Sequence, residues 1–382
     1  MTMHTSQKYT NCTLGNELLE QLIQEERILF TDAHSQVMPA SIDLAVDSGW
    51  HMKGSLSRRP YETNWDVINQ FQKAKLQPED VLHVGETYMF HITTRLNLPE
   101  QIHGFANPKS TTGRDGVVAH LRTDGSTLND VIPQGYLGDL WVEVTPEIFP
   151  IIWREGTRFN QLRLFKGNPY LSDQELIARY VKEPFMYTPY GKPIAPRREM
   201  FSNGLVQRIN LDLEIPGFIS KPNAKNLDPI DIDNAKGDIP FEDYWDILQV
   251  SSDESITIPK ERMVIAVTYE LNRLPFDLAG EMVKADERTS AGLSAHDAGF
   301  FDQGFGNVEH QIGSAGVLEI RAMNSNKLIR HLDAITRLRF SPVTQSTQHY
   351  GEKSHYQGQS YHANPRKIIP RLAKHFTMPN RE

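Results

Sequence analysis

The sequence predicts an all-β protein with a few short helices, built from two copies of one β-fold in tandem. Three observations predict it. Short runs alternate in polarity, as in Ala40–Val46 (ASIDLAV) and around Val81–Val84 and Tyr88–Thr93, and alternation with a period of two marks half-buried strands. Turns rich in Gly, Pro and Asp recur at short intervals, which suits a sandwich or barrel rather than βαβ units. Finally, the pattern restarts. QRINLDLEI (207–215) echoes PASIDLAV (39–46), and VTYELNRLPFDLAGEMVKADERTSAG (267–292) echoes ITTRLNLPEQIHGFANPKSTTG (92–113). Pro99 and Glu143 stand 44 residues apart, as do Pro275 and Glu319. Repetition of this kind signals a duplicated unit. At 382 residues the chain is long enough for two domains that each bury a core. We divide it into a first domain (1–170), a proline-containing, mixed-charge linker (171–205) and a second domain (206–382).

Taken in order, NELLEQLIQEERI (16–28) places Leu18, Leu19, Leu22 and Ile23 at helical spacing, an amphipathic helix with Asn16 as its N-cap. Next comes the stretch on which the chain is centred, Asn107-Pro-Lys-Ser-Thr-Thr-Gly-Arg114. It combines the cations Lys109 and Arg114 with the hydroxyls of Ser110, Thr111 and Thr112, beside Gly113, where the backbone can approach a ligand. This is the chemistry that holds a phosphate chain. A polar turn between strands is the bland alternative for the stretch alone. In the following strand Leu140, Val142 and Val144 share one face, and Asp139, Trp141 and Glu143 the other. The run Arg154–Leu162 then offers Gly156 for a tight turn, with Arg158, Asn160 and Gln161 as donors.

The second copy differs where chemistry is carried. It reads Arg288-Thr-Ser-Ala-Gly-Leu293, so one cation has become a leucine, and HLDAITRLRF (331–340) stands in place of the Arg158/Gln161 stretch. It does carry Asp302-Gln-Gly-Phe-Gly306 ahead of a strand in which Val317, Glu319 and Arg321 share a face. The stretch His349–Gln359 is hydrophilic, aromatic and glycine-containing, a disordered end or a lid that orders on a ligand.

The bulk numbers narrow the partners. Forty Lys and Arg against 48 Asp and Glu give a net charge of −8, so no global basic field recruits nucleic acid or an anionic membrane. Any anionic ligand must be held by a local cluster. The single cysteine, Cys12, leaves no intrachain disulfide and no Cys-rich zinc site, which fits a reducing compartment. The N-terminal residues lack an apolar run, and the most apolar later stretch (131–153) is broken by prolines, Asp139, Glu143 and Glu147. We therefore expect a soluble cytoplasmic protein.

Together these features resemble the dUTPase and dCTP-deaminase superfamily, in its long two-domain bacterial form. The resemblance spans nearly the whole chain through the ASIDLAV strand, LNLPEQIHGF, KSTTGR, GYLGDLWVE, EGTRFNQL and the YQGQ tail. It implies two tandem dUTPase-like distorted jelly-roll β-barrels with active sites between barrels. Matched by position, Lys109, Ser110, Thr111 and Arg114 fall in the phosphate motif, and Arg288 begins its second copy. Arg158 and Gln161 lie in the second phosphate-end stretch. Glu143 and Glu319 both match the catalytic glutamate, Asp302 and Gly304 the base-side hairpin, and Tyr356 and Gln359 the tail closing on the triphosphate. His355 replaces a common lysine, Leu293 the motif arginine, and the first copy has extra residues between His120 and Gly135.

The implied reaction is deamination of dCTP to dUTP with release of ammonia. Zinc deaminases use His and Cys ligands and a glutamate proton shuttle. One cysteine cannot supply that set, so no zinc is expected. A zinc-free route needs a carboxylate acting as base and then acid, with a hydroxyl holding the water. We expect Glu319 in that role with the first copy's phosphate residues, Glu143 being the alternative, and Ser110 orienting the water. Magnesium would arrive with the triphosphate, bound mainly to phosphate oxygens and water. Two rivals stay open: a dUTPase-like or bifunctional pyrophosphatase, and a nucleotide-binding regulator without turnover. A homo-oligomer is expected.

Overall fold

The computed structural model describes residues 10–55, 57–284, 293–295, 299–307, 312–344, 346–348, 350 and 364–379. Arg288, Tyr356, Gln359 and His355 lie outside the described residues. Strands dominate, and the four α-helices among the described residues are short, from five to ten residues. The fold is all-β with a few short helices, as the alternating runs predict.

In the first barrel, Tyr88–Asn97 pairs antiparallel with Leu137–Pro146, which pairs in turn with Val117–Thr123. The opposite sheet pairs Ile102–Pro108 with Asn160–Lys166. The second barrel repeats the plan: Met263–Asn272 pairs with Ser314–Ala322, and Leu278–Lys284 with Ala334–Thr344. Even the register recurs, Met89 lying opposite Glu143 and Ile265 opposite Glu319.

The barrels are joined by more than their connection. Cys12–Leu14 pairs with Asn160–Lys166 on one side and runs parallel to Ala334–Thr344 on the other, so one sheet continues from barrel to barrel. The hydroxyls of Thr13 and Ser341 meet across it at 2.6 Å. The strand Met263–Asn272 is apolar on both faces. Met263, Ile265 and Val267 join the core that holds Phe90, Leu140 and Val142 of the first barrel. Val264 and Ala266 join the second core with Leu318 and Ile320. A strand buried on both sides reads as a continuous apolar run, as MVIAV does here.

Two local expectations change. Residues 171–205, expected as a linker, carry the helix Asp173–Lys182, capped by Ser172 and Glu175 in a capping box, and its Leu176 and Tyr180 are buried in the second core. Periodicity on one face was the available signal, diluted by the charges on the other. The first helix runs Asn16–Gln24 with Gly15 as N-cap. Asn16 itself is buried, and its Oδ1 accepts from the Ser346 hydroxyl at 2.8 Å and the Thr347 amide at 3.1 Å. The tertiary contact outcompetes the capping role.

Candidate active site between the barrels

The centre of the site is the helix Ser110–Arg114, one short turn with Lys109 at its N-cap. Two hydrogen bonds fix it against the strand that follows Arg158: the Lys109 amide donates to the Phe159 carbonyl at 2.8 Å, and Thr112 Oγ1 donates to the same oxygen at 3.0 Å. Gln161 Nε2 adds a contact to the Pro108 carbonyl at 3.3 Å. Lys109 and Arg158 are thereby brought together. Ser110 is half-buried at the first turn, while Thr111 and Arg114 are buried. Glycine is required not at Gly113, which lies within the helix, but at Gly116. There φ is +67° and a Cβ would stand 2.3 Å from the Ile148 side chain and 3.3 Å from Met263 Sδ of the second barrel.

The cluster is short of counter-charge. Lys109 Nζ pairs with the buried carboxylate of Asp43. Burial nonetheless pushes the Lys109 ammonium down to about 7, helped by Arg158 and Lys374 and opposed by Asp233. Asp233 accepts from the Thr157 hydroxyl. Arg158 Nη1 is buried without a hydrogen-bond partner. A buried guanidinium N–H is costly to leave unmet, and an anion placed here would meet it. Behind the helix, Asp115 and His375 form a fully buried pair at 2.9 Å. Burial raises the Asp115 carboxyl and His375 opposes that shift.

The second barrel's turn that carries Asp302 and Gly304 abuts this motif. Gly299 approaches Asn107 so closely that its Cβ would lie 3.4 Å from Asn107 Nδ2. Three residues on, Asp302 Oδ1 accepts from Arg163 Nη2 of the first barrel at 3.0 Å, and Arg163 Nη1 donates to the Gly280 carbonyl at 2.7 Å. The same guanidinium lies 4.2 Å from the centre of the Phe300 ring. Burial raises the Asp302 carboxyl, with Arg163 pulling the other way. Gln303 reaches the Pro39 carbonyl at 3.3 Å, and Gly304 takes φ +82°, the left-handed turn conformation.

The two glutamates differ in setting. Glu143 is engaged at both oxygens, by Ser55 Oγ at 2.6 Å and Arg122 Nη2 at 2.9 Å. Its strand face also carries Trp141, which packs with Trp50, Val67 and Ile68 under the helix Asn64–Phe71. Glu319 is also buried. Its strand face is that of Val317 and Arg321, turned toward the first barrel. Arg321 pairs there with Glu147, whose amide donates to the Gly116 carbonyl at 2.8 Å. The Glu319 face therefore meets the end of the motif helix.

Several of these residues escape sequence reasoning. Arg163 has the clearest signal, since it shares a strand face with Gln161. Asp43 is an acid inside an apolar strand, echoed by Asp212. Asp115, Lys374 and His375 carry no local signal.

The two linked barrels form a dUTPase-like fold. The match to family models is more specific. Residues 10–168 match the 2'-deoxycytidine 5'-triphosphate deaminase N-terminal domain and residues 173–376 the C-terminal domain of the same family. The chain belongs to the 2'-deoxycytidine 5'-triphosphate deaminase family. It is similar to the crystal structure of 2'-deoxycytidine 5'-triphosphate deaminase from Agrobacterium tumefaciens, with a TM-score of 0.80 and 27% identity over 88% of this chain and 97% of that one. It also resembles a dCTP deaminase, dUMP-forming, from Parafrankia sp. (strain EAN1pec), 22% identical over 185 residues, 46% of this chain and 88% of the relative. No helix among the described residues is long and apolar enough to cross a membrane.

Proposed function

We propose that the chain hydrolyses dCTP to dUTP and ammonia in a site made between its two barrels. The observation that carries this reading is the buried, unpartnered Arg158 Nη1 beside Lys109, at the seam where the second barrel's hairpin and Glu319 face arrive. Lys109, Thr111, Arg114, Arg158 and Gln161 hold the triphosphate, and magnesium enters bound to it. Asp302 and Gly304 line the base side, and Arg288, Tyr356 and Gln359 complete the enclosure. Glu319 takes a proton from water held by Ser110 as the oxygen attacks C4, and passes it to N3. A second proton then goes to the amino group, the C4–N4 bond breaks, and ammonia leaves as the C4 carbonyl forms. Water supplies both hydrogens, so no other co-reactant is consumed, and one cysteine cannot supply the ligand set of a zinc deaminase. Glu143, already held by Arg122 and Ser55, is structural. A reducing, cytoplasmic location suits the one thiol, and we expect a homo-oligomer.

One finding favours a second reading. The Parafrankia relative is named as dUMP-forming, which would add cleavage of the α–β phosphate bond to deamination. Incubation with magnesium and dCTP, and separately dUTP, with assays for ammonia and pyrophosphate, separates the two. Ammonia without pyrophosphate supports the proposal, both products support the bifunctional reading, and neither product defeats both.

A further inference from the structure

Arg163 follows Gln161 by two residues on the strand Asn160–Lys166, so the two share a face. The Arg163 side chain is 1% exposed, and its head crosses into the second barrel. Nη1 donates to the Gly280 carbonyl at 2.7 Å, Nη2 donates to Asp302 Oδ1 at 3.0 Å, and the guanidinium lies 4.2 Å from the centre of the Phe300 ring. These contacts fall on two paired strands and the turn that follows, since Gly280 pairs with Phe301. The root of the side chain is as fixed as its tip. Phe105 lies opposite Arg163 in the ladder, and a Cβ on Gly104 would stand 2.9 Å from the Arg163 carbonyl oxygen.

Stability does not explain this arginine. A buried ion pair gives up much of its Coulomb attraction to desolvation, and apolar side chains of the same volume often stabilise as well or better. Arg163 Nε is also buried without a hydrogen-bond partner, which is a further cost. What the planar fork supplies is geometry, because two donors at fixed spacing tie the carboxylate to a backbone carbonyl of the neighbouring strand. The backbone of the turn has supports of its own. The Phe305 amide donates to the Asp302 carbonyl at 3.2 Å, the Leu274 amide to the Phe305 carbonyl at 2.8 Å, and Gln303 Nε2 to the Ser346 hydroxyl at 2.6 Å. The Asp302 carboxylate instead takes its hydrogen bond from Arg163, through Oδ1. That side chain is 13% exposed, so Oδ2 is left to accept from a ligand. The other charges nearby are committed elsewhere. Glu281, on the strand paired with Phe300, is held by Arg339 Nη2 at 3.0 Å and by the Tyr170 hydroxyl, and Lys109 pairs with Asp43.

We propose that Arg163 is a positioning residue for the base side of the nucleotide site: with it the first barrel holds the second barrel's Asp302 in one orientation, Oδ2 presented as an acceptor to the nucleoside part of the substrate. This rests on the reading above that Asp302 lines the base side. It makes both ends of the site depend on one strand of the first barrel, through Gln161 at the phosphate end and Arg163 at the base end.

The test compares full-length protein with Arg163→Met, Arg163→Lys, Asp302→Asn and the double variant Arg163→Met/Asp302→Asn. Turnover of dCTP with magnesium gives kcat and KM, and calorimetry gives the Kd of inorganic tripolyphosphate. Arg163→Met and Asp302→Asn should each lower kcat/KM about thirtyfold, within the range a hydrogen bond to a charged group supplies. The double variant should lie within about threefold of the worse single one, because the arginine acts through the carboxylate. Arg163→Lys, which keeps the charge and loses the fork, should recover only part of the loss. The tripolyphosphate Kd should stay within about twofold throughout, whereas a general loosening of the seam would weaken it together with kcat/KM. If Arg163→Met fails to fold, the double variant, which leaves no buried charge of the pair unmatched, is read against Asp302→Asn. Equal kcat/KM then supports the proposal, and a further loss of about tenfold overturns it. Additive losses across the four proteins, or an unchanged kcat/KM in Arg163→Met, would overturn the proposal alone. No tripolyphosphate binding and no turnover by the unaltered protein would overturn the functional reading with it.

Discussion

Glu143 and Glu319 occupy the same register in two copies of one barrel, opposite Met89 and Ile265, yet their faces are covered by different things. The Glu143 face is roofed from within its own repeat by the helix Asn64–Phe71 and a cluster of Trp50, Trp65 and Trp141, whose rings meet at 4.9 to 6.0 Å. The face of Glu319 is covered by the other barrel, where Gly116 and Glu147 meet Met263 and Arg321. One carboxylate is thus closed in by local structure, while the other opens on an interface. The same asymmetry holds for the phosphate motif: the first copy keeps Arg114, and the second has Leu293. On the function proposed above, each copy keeps one half of a site, on the faces that meet.

That division is easiest to break at the two glutamates. Glu319→Gln should lower kcat for ammonia release from dCTP by about a thousandfold, within the range general acid–base catalysis supplies. Glu143→Gln should leave kcat within about threefold. Equal losses would defeat the assignment, and the reverse order would mean that the first barrel's own glutamate does the chemistry. Glu143→Gln has instead a structural cost. It leaves the guanidinium of Arg122, which is 4% exposed, without its carboxylate. A broken buried pair of this kind costs about 3 kcal/mol. The midpoint of urea unfolding should fall accordingly, and an unshifted midpoint would remove the structural role assigned to Glu143.

The fold was readable because its signals are local or repeated. Alternation marks strands within seven residues, and the second copy of LNLP and its glutamate confirms the first by spacing. The run proposed to hold phosphate stood out for the same reason, since Lys109, Ser110, Thr111 and Arg114 lie together in sequence. What sequence reasoning missed are partners brought together over long separations. Asp43 and Lys109 are 66 residues apart, Arg163 and Asp302 are 139, and Asp115 and His375 are 260. No periodicity reports such a pairing, because it is set by which faces two barrels turn toward each other. The Asp173–Lys182 helix was missed for another reason: only Leu176 and Tyr180 of it are buried, too few for its apolar face to stand out.

The cation cluster gives two smaller effects that sharpen the contrast between the copies. Arg158→Ala removes a donor, Nη1, that has no partner among the described residues. It should raise the KM for dCTP about tenfold while leaving stability nearly unchanged, since hydrogen bonds to charged groups contribute about 1.5–3 kcal/mol.

The pH dependence of binding tests the same cluster through Lys109. In the free protein its ammonium is pushed down to about 7 from an ordinary value of 10.5. A folded-state value below the unfolded one means that stability falls as pH drops from about 10.5 to about 7, and levels off below 7. A bound triphosphate favours the charged ammonium and raises its pKa again, so binding above pH 7 must take up a proton. Affinity for dCTP should therefore weaken by up to about tenfold per pH unit as pH rises above 7. Calorimetry at pH 8 in two buffers of different ionisation enthalpy should show uptake approaching one proton. Lys109→Arg, charged throughout this range, should flatten the profile. A flat profile in the unaltered protein would show that Lys109 is already charged in the absence of nucleotide, with Asp43 outweighing burial and the neighbouring cations.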